Sequence, residues 1–246
     1  MTEPIDPAEW LRRLDQAMAG FAALLGSADL ARAVPGCPGW SLADLAAHLG
    51  GVHAWAEHTV VAGNPHLVAE PAPTEPGELV RWYAERAGSL LATLSATDPD
   101  APAWAFGLEG GRSGFWRRRQ THETTVHLWD AARSQGDDLP IDTALALDGI
   151  DEIATVLFPR QVRLGRMTPL RLPVALVPSD ADVAPVVLGG AGTAGLRAQD
   201  AVATVCGPAE LLLLLLWKRI PPGDDRLVVT GDHTAYTELL EHALTP

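Results

Sequence analysis

The sequence predicts an α+β protein: a four-helix bundle over residues 1–140, followed by a smaller mixed α/β domain over residues 141–246. Apolar residues recur at helical spacing in four long stretches before Gly136. Beyond Gly136 the pattern changes to short β-like runs alternating with shorter helical ones. The chain has 246 residues, 47% of them apolar and 20% charged, which is enough to bury one large core or two small ones.

Asp6 is placed to cap the first helix, with Pro7 at its first position and Glu9 closing a capping box. Trp10, Leu11, Leu14, Ala17, Met18, Phe21 and Leu25 then follow its apolar stripe. The turn Val34–Gly39, which contains Cys37, leads to a second helix capped by Ser41 with Asp44 reaching back. Leu42, Leu45, Leu49, Val52 and Ala56 form its stripe, so His48 falls inside it and His53 and His58 fall outside. After a Pro-rich loop, Pro65–Pro76, a third helix runs from about Gly77 to Ala96. A second loop, Asp98–Gly111, leads to a fourth helix for which Ser113 is the expected cap.

That fourth stretch, Phe115–Ser134, is the unusual one. At 100° per residue, one stripe collects Trp116, Gln120, Glu123, His127, Asp130 and Ser134. A core-facing helix should be apolar there, and this one is polar and titratable. Glu123 and His127 stand one turn apart, so they can either form a weak surface ion pair or grip one divalent metal ion from the same helix. His48 is either a core histidine or a further ligand to that ion.

In the second half, Asp142 caps a helix from Thr143 to about Phe158, ended by Pro159. Leu170–Val177, Val183–Leu188, Ala201–Cys206 and Arg226–Thr230 read as strands. Between them lies a Leu-rich helix, Ala209–Arg219, and a last helix runs from Thr234 to Leu244 behind Asp232. The strand order is not readable from this pattern.

The net charge of −13 gives the chain no electrostatic reason to seek nucleic acid or anionic membranes. The local cluster Arg117–Arg119 can still draw a small anion. Two cysteines make neither a disulfide framework nor a zinc finger, and a reducing cytoplasm suits them. Cys37 reads as part of its turn, and Cys206 as a strand-end core residue. The start MTEPIDPAEW lacks a basic-then-apolar signal pattern, and the run Leu211–Trp217 is too short to span a bilayer.

Three stretches carry a family resemblance: Pro35–Ser41 with Asp44–Leu49, then His122–Asp130, then Val205–Ala209 running into Leu211–Trp217. Together they resemble the mycothiol-dependent maleylpyruvate isomerase family, within the DinB-like superfamily of metal-binding four-helix bundles. The resemblance implies a zinc-type divalent metal held by His48, Glu123 and His127, with Asp130 supporting the site. It implies that Arg219 is a basic residue facing the substrate, and that mycothiol, the small thiol of actinobacteria, is cofactor or co-substrate. Leu128 stands where the family usually has Arg. High Ala, Gly, Pro and Arg-over-Lys usage is compatible with an actinobacterial source.

Three protein ligands leave one coordination position open, the mark of a catalytic zinc site. A thiol there ionises well below its free pKa of about 8.5. Such a thiolate can add to a small electrophile, either isomerising a maleylpyruvate-type double bond or staying attached in an S-transfer. The alternatives are metal-assisted hydrolysis, an Fe(II) site, and a non-catalytic metal- or ligand-binding member of the fold. A monomer is the default expectation.

Overall fold

A computed structural model describes residues 5–193, 195–242 and 244–245. The chain forms two compact units that divide between Leu139 and Pro140. Among the described residues no helix is long and apolar enough to cross a membrane.

The N-terminal unit contains four helices: α1 (Pro7–Ser27), α2 (Leu42–Ala62), α3 (Pro76–Ala96) and α4 (Gly114–Gln135). Helix α1 packs on α3 and α4, and so does α2, which leaves α1 and α2 on a diagonal. The Asp6 side chain accepts from the Ala8 amide, as its position predicts. Glu9 closes no capping box and pairs instead with Arg12 and Arg13, where two guanidinium groups offer more than one backbone amide. At α2 the Ser41–Asp44 box is complete. At α4, Ser113 adopts helical backbone angles and its hydroxyl donates to the Asp98 carbonyl, so it ties down the preceding loop and caps nothing. Gly50 permits close approach of α3, because a β-carbon there would lie 2.2 Å from the Trp82 ring.

Helix α4 is the centre of this unit: 15 of its 22 residues are buried. They include Arg117, whose guanidinium donates to the Leu94 and Thr97 carbonyls and so satisfies the C-terminal end of α3. Gly136, at φ 90°, ends α4 in the left-handed conformation.

The C-terminal unit opens with α5 (Thr143–Glu152), a π-helical turn (Ile153–Leu157) and α6 (Phe158–Arg163). Pro159 therefore does not end the helix. The looser π turn shifts the hydrogen-bond register ahead of it, so Pro159 falls in the first turn of a new segment, where its missing N–H costs little. Strands β1 (Leu170–Pro178), β2 (Val186–Gly190), β3 (Ala203–Gly207) and β4 (Val228–Gly231) form one sheet in the order β2-β1-β3-β4. The central pair β1–β3 is parallel and the two outer pairs are antiparallel. Two helices complete the unit: α7 (Ala209–Leu216), which packs on α5, β1 and β3, and α8 (His233–Glu241). Helix α7 stops short of Arg219. Lys218 takes a left-handed φ of 58°, and the Lys218 and Arg219 amides fold back onto the Leu215 and Leu214 carbonyls. Asp232 caps α8 through the Thr234 amide; of the expected extension to Leu244, Ala243 lies outside the described residues.

Candidate metal centre

The packing of α2 on α4 brings His48 from the first half of α2 against Glu123 and His127 of α4. Glu123 Oε1 lies 3.4 Å from His48 Nε2 and 3.3 Å from His127 Nε2. One ligand atom from each of the three residues falls within 4.8 Å of the others. Glu123 and His127 are buried, and the His48 side chain keeps 35% of its surface exposed, so the group has one open side.

Each of these side chains is held from behind. His127 Nδ1 lies 3.0 Å from Asp130 Oδ2, one turn further along α4, and Asp130 is completely buried. The Cys37 thiol, half-buried in the turn before α2, donates to the same carboxylate oxygen at 3.6 Å. The Arg119 guanidinium, buried one turn before Glu123, pairs with Glu123 Oε2, the oxygen that does not face the histidines. The Trp40 ring packs against His48 with centroids 5.0 Å apart.

These contacts bear on what the donor atoms can bind. Asp130 accepts the hydrogen bond from His127 Nδ1–H, so in the neutral imidazole Nε2 is the nitrogen that offers a lone pair toward Glu123 Oε1, and without an ion a second proton at Nε2 takes that place. Two lone-pair atoms 3.3 Å apart repel unless a cation lies between them. A proton on His127 relieves one such contact, whereas a divalent ion relieves all three. Ligand bonds of about 2.0–2.1 Å in a tetrahedron give ligand–ligand edges of about 3.4 Å. The observed separations of 3.4 and 3.3 Å match that edge, so the donor set fits a zinc-type ion.

The electrostatics agree. Burial disfavours the Glu123 carboxylate, but Arg119 and the hydrogen bonds to His127 and His48 overcome it and hold the acid well below its usual range. Burial also disfavours a protonated His127, but Asp130, Cys37 and Glu123 overcome it and raise that imidazole well above its ordinary value. The pocket favours positive charge at the point where the three ligands meet.

The histidines of α2 divide differently from their sequence pattern. The buried stripe of α2 runs through Leu49, His53 and Ala56, so His53 is the core residue and His48 sits at the rim. His53 Nδ1 pairs with Gln120 at 2.9 Å, and burial pushes its imidazole down to about 4. Arg219 lies in the C-terminal unit, where its guanidinium donates to the Trp217 carbonyl and covers the Trp217 ring. Sequence reasoning missed two features: Arg119 as the partner of Glu123, and the His53–Gln120 pair. The four-residue spacing Arg119–Glu123–His127 was the available signal for the first.

Residues 11–132 match the mycothiol maleylpyruvate isomerase N-terminal domain, and residues 144–238 match the C-terminal domain of the same family. No curated protein sequence matches the chain. Two crystal structures of the mycothiol-dependent maleylpyruvate isomerase share its fold. One, of a histidine-to-alanine mutant, has a TM-score of 0.65 at 14% identity, and the other 0.62 at 13%. Each covers 92% of this chain and 94% of its own. With both family domains present in order along its length, the chain belongs to the mycothiol-dependent maleylpyruvate isomerase family, a family of enzymes.

Proposed function

We propose that the N-terminal unit holds a divalent metal, zinc by its donor set, at His48, Glu123 and His127, and that the protein is a mycothiol-dependent enzyme acting on a small electrophile. The observation that carries this reading is the convergence of three lone-pair atoms from two helices in a chain of this family. When bound, the ion lowers the pKa of a thiol at its open position, and that thiol can then add to an activated double bond and leave after rotation, or stay attached in a transfer.

The protein's own residues prepare this chemistry. Asp130 fixes the tautomer of His127 and turns Nε2 toward the other ligands. Glu123 supplies one negative charge and keeps it in the ionised form. Trp40 packs at a tilt against His48, while the exposed part of that histidine leaves an approach for thiol and substrate. The buried His53–Gln120 pair lies on the same two helices, five residues along α2 from His48 and three residues before Glu123 on α4. Arg219 is proposed as the basic residue that binds an anionic group of the substrate.

The test is an isomerisation assay with maleylpyruvate, run with and without mycothiol and after treatment with a chelator. The reading predicts turnover that needs both thiol and metal. Isomerisation that needs no thiol would contradict the mycothiol dependence, and cleavage of a substrate bond by water with no thiol present would make the protein a metal-dependent hydrolase instead. Binding of thiol or metal with no turnover of any electrophile would make it a non-catalytic member of the family.

A further inference from the structure

Arg119, Glu123 and His127 form a ladder on α4 at four-residue steps, and the lowest rung has no role in the reading above. Arg119 is 2% exposed and its guanidinium pairs with Glu123 Oε2. Ordinary helix stabilisation does not account for this pair. Arg preceding Glu by four is the weaker order with respect to the helix dipole. Burying both charges costs desolvation that an apolar pair of similar volume would avoid.

The geometry does account for it. Both histidine Nε2 atoms face the same carboxylate oxygen, Oε1, at 3.4 and 3.3 Å. A carboxylate left to itself rotates and can offer both oxygens to an ion. With Oε2 held by Arg119, only Oε1 is free to face the histidines.

We infer that Arg119 is a positioning residue: it makes Glu123 a one-oxygen ligand of fixed orientation and so keeps a coordination position open for the thiol. The inference rests on the metal site proposed above. Supporting partners of metal ligands typically change metal affinity about 10- to 100-fold when removed, which sets the scale of the effect.

The experiment compares wild type, Arg119→Met and Arg119→Lys. Zinc affinity is measured by competition with a chromophoric chelator, and the visible absorption of the cobalt(II)-loaded proteins reports coordination number. Arg119→Met should bind zinc about 10- to 100-fold more weakly, and its cobalt bands should weaken and shift as the second carboxylate oxygen enters. Arg119→Lys keeps the charge but lacks the planar fork, so it should fall between the other two in both readouts. Melting of the metal-free proteins checks folding. If Arg119→Met does not fold, Arg119→Lys decides alone. Affinity and spectrum indistinguishable from wild type in the folded variants would overturn the role of Arg119 and leave the metal site standing. A wild type that binds no zinc would overturn both.

Discussion

Two helices of this protein are buried almost throughout, and they are built from opposite materials. In α7 every residue from Leu211 to Leu216 is buried and apolar. In α4 the buried set includes Arg117, Arg119, Gln120, His122, Glu123, His127 and Asp130. The first arrangement follows from the hydrophobic effect alone, since each Leu contributes by leaving water. The second works against it, and α4 stays buried because its polar groups are partnered: Arg117 with the end of α3, Arg119 with Glu123, Gln120 with His53, His127 with Asp130. A leucine helix identifies a core. A buried polar helix whose partnered groups converge on one point identifies a site.

The contrast can be broken by substitution. Glu123→Ala should have the largest effect, costing about 3–5 kcal/mol of folding stability because it breaks a buried ion pair by removing one partner. It should abolish metal binding at the same time, as denaturant melts and metal analysis of the same preparation would record. In α7, Leu212→Ala should cost a similar 2–5 kcal/mol, roughly, through its cavity, but leave metal content unchanged. A loss of metal in that variant would erase the distinction between the two helices.

The interior of the helical unit carries a pH signature. The His53 imidazole falls from an ordinary 6.5 to about 4 on burial, so between those values the unfolded chain binds a proton that the folded chain refuses. Stability from this group is therefore complete above about pH 6.5 and is lost as pH falls toward 4, by about 3 kcal/mol in all. The groups that bear on it are Gln120, Tyr83, Glu123, His127 and His48. Denaturant melts at pH 7 and pH 4.5 should give a smaller difference for His53→Asn than for wild type. Equal differences would remove His53 from the account.

Smaller effects sharpen the comparison. Asp130→Asn should weaken metal binding by about 10- to 100-fold by disturbing the tautomer of His127, with the fold kept, as a chelator competition would report. Cys37→Ala removes a long thiol hydrogen bond to Asp130 and the thiol's contact with His127. It should give the least change in the same competition, less than Asp130→Asn.

Much of the fold was legible because it rests on local rules. The caps at Asp6, Ser41, Asp142 and Asp232 and the apolar runs of the strands are each set by a few adjacent residues. Features that depend on neighbours distant in sequence were not. Pro159 reads as a stop signal, and only the π turn before it lets the helix continue. Ser113 reads as a cap, but the Asp98 carbonyl claims its hydroxyl. The sheet order depends on pairings that no single strand specifies. Within the site, the one-turn spacing of Glu123 and His127 was visible, and the family resemblance brought in His48. The roles of Arg119 and His53 were hidden because a period of 3.6 distinguishes one helix face from another only when some face meets water. Helix α4 is buried on nearly all sides, so its pattern carries little information about which neighbour each residue meets.

The most direct test of the central claim is the metal content of the purified protein by elemental mass spectrometry, wild type beside His48→Ala. His48 lies at the rim with 35% of its side chain exposed, so its loss should leave the packing of α2 on α4 in place. The account predicts about one zinc-type ion per wild-type chain, as a three-ligand site requires, and its loss in the variant. A wild type that stays metal-free when zinc is supplied, or a variant that keeps the ion, would contradict it.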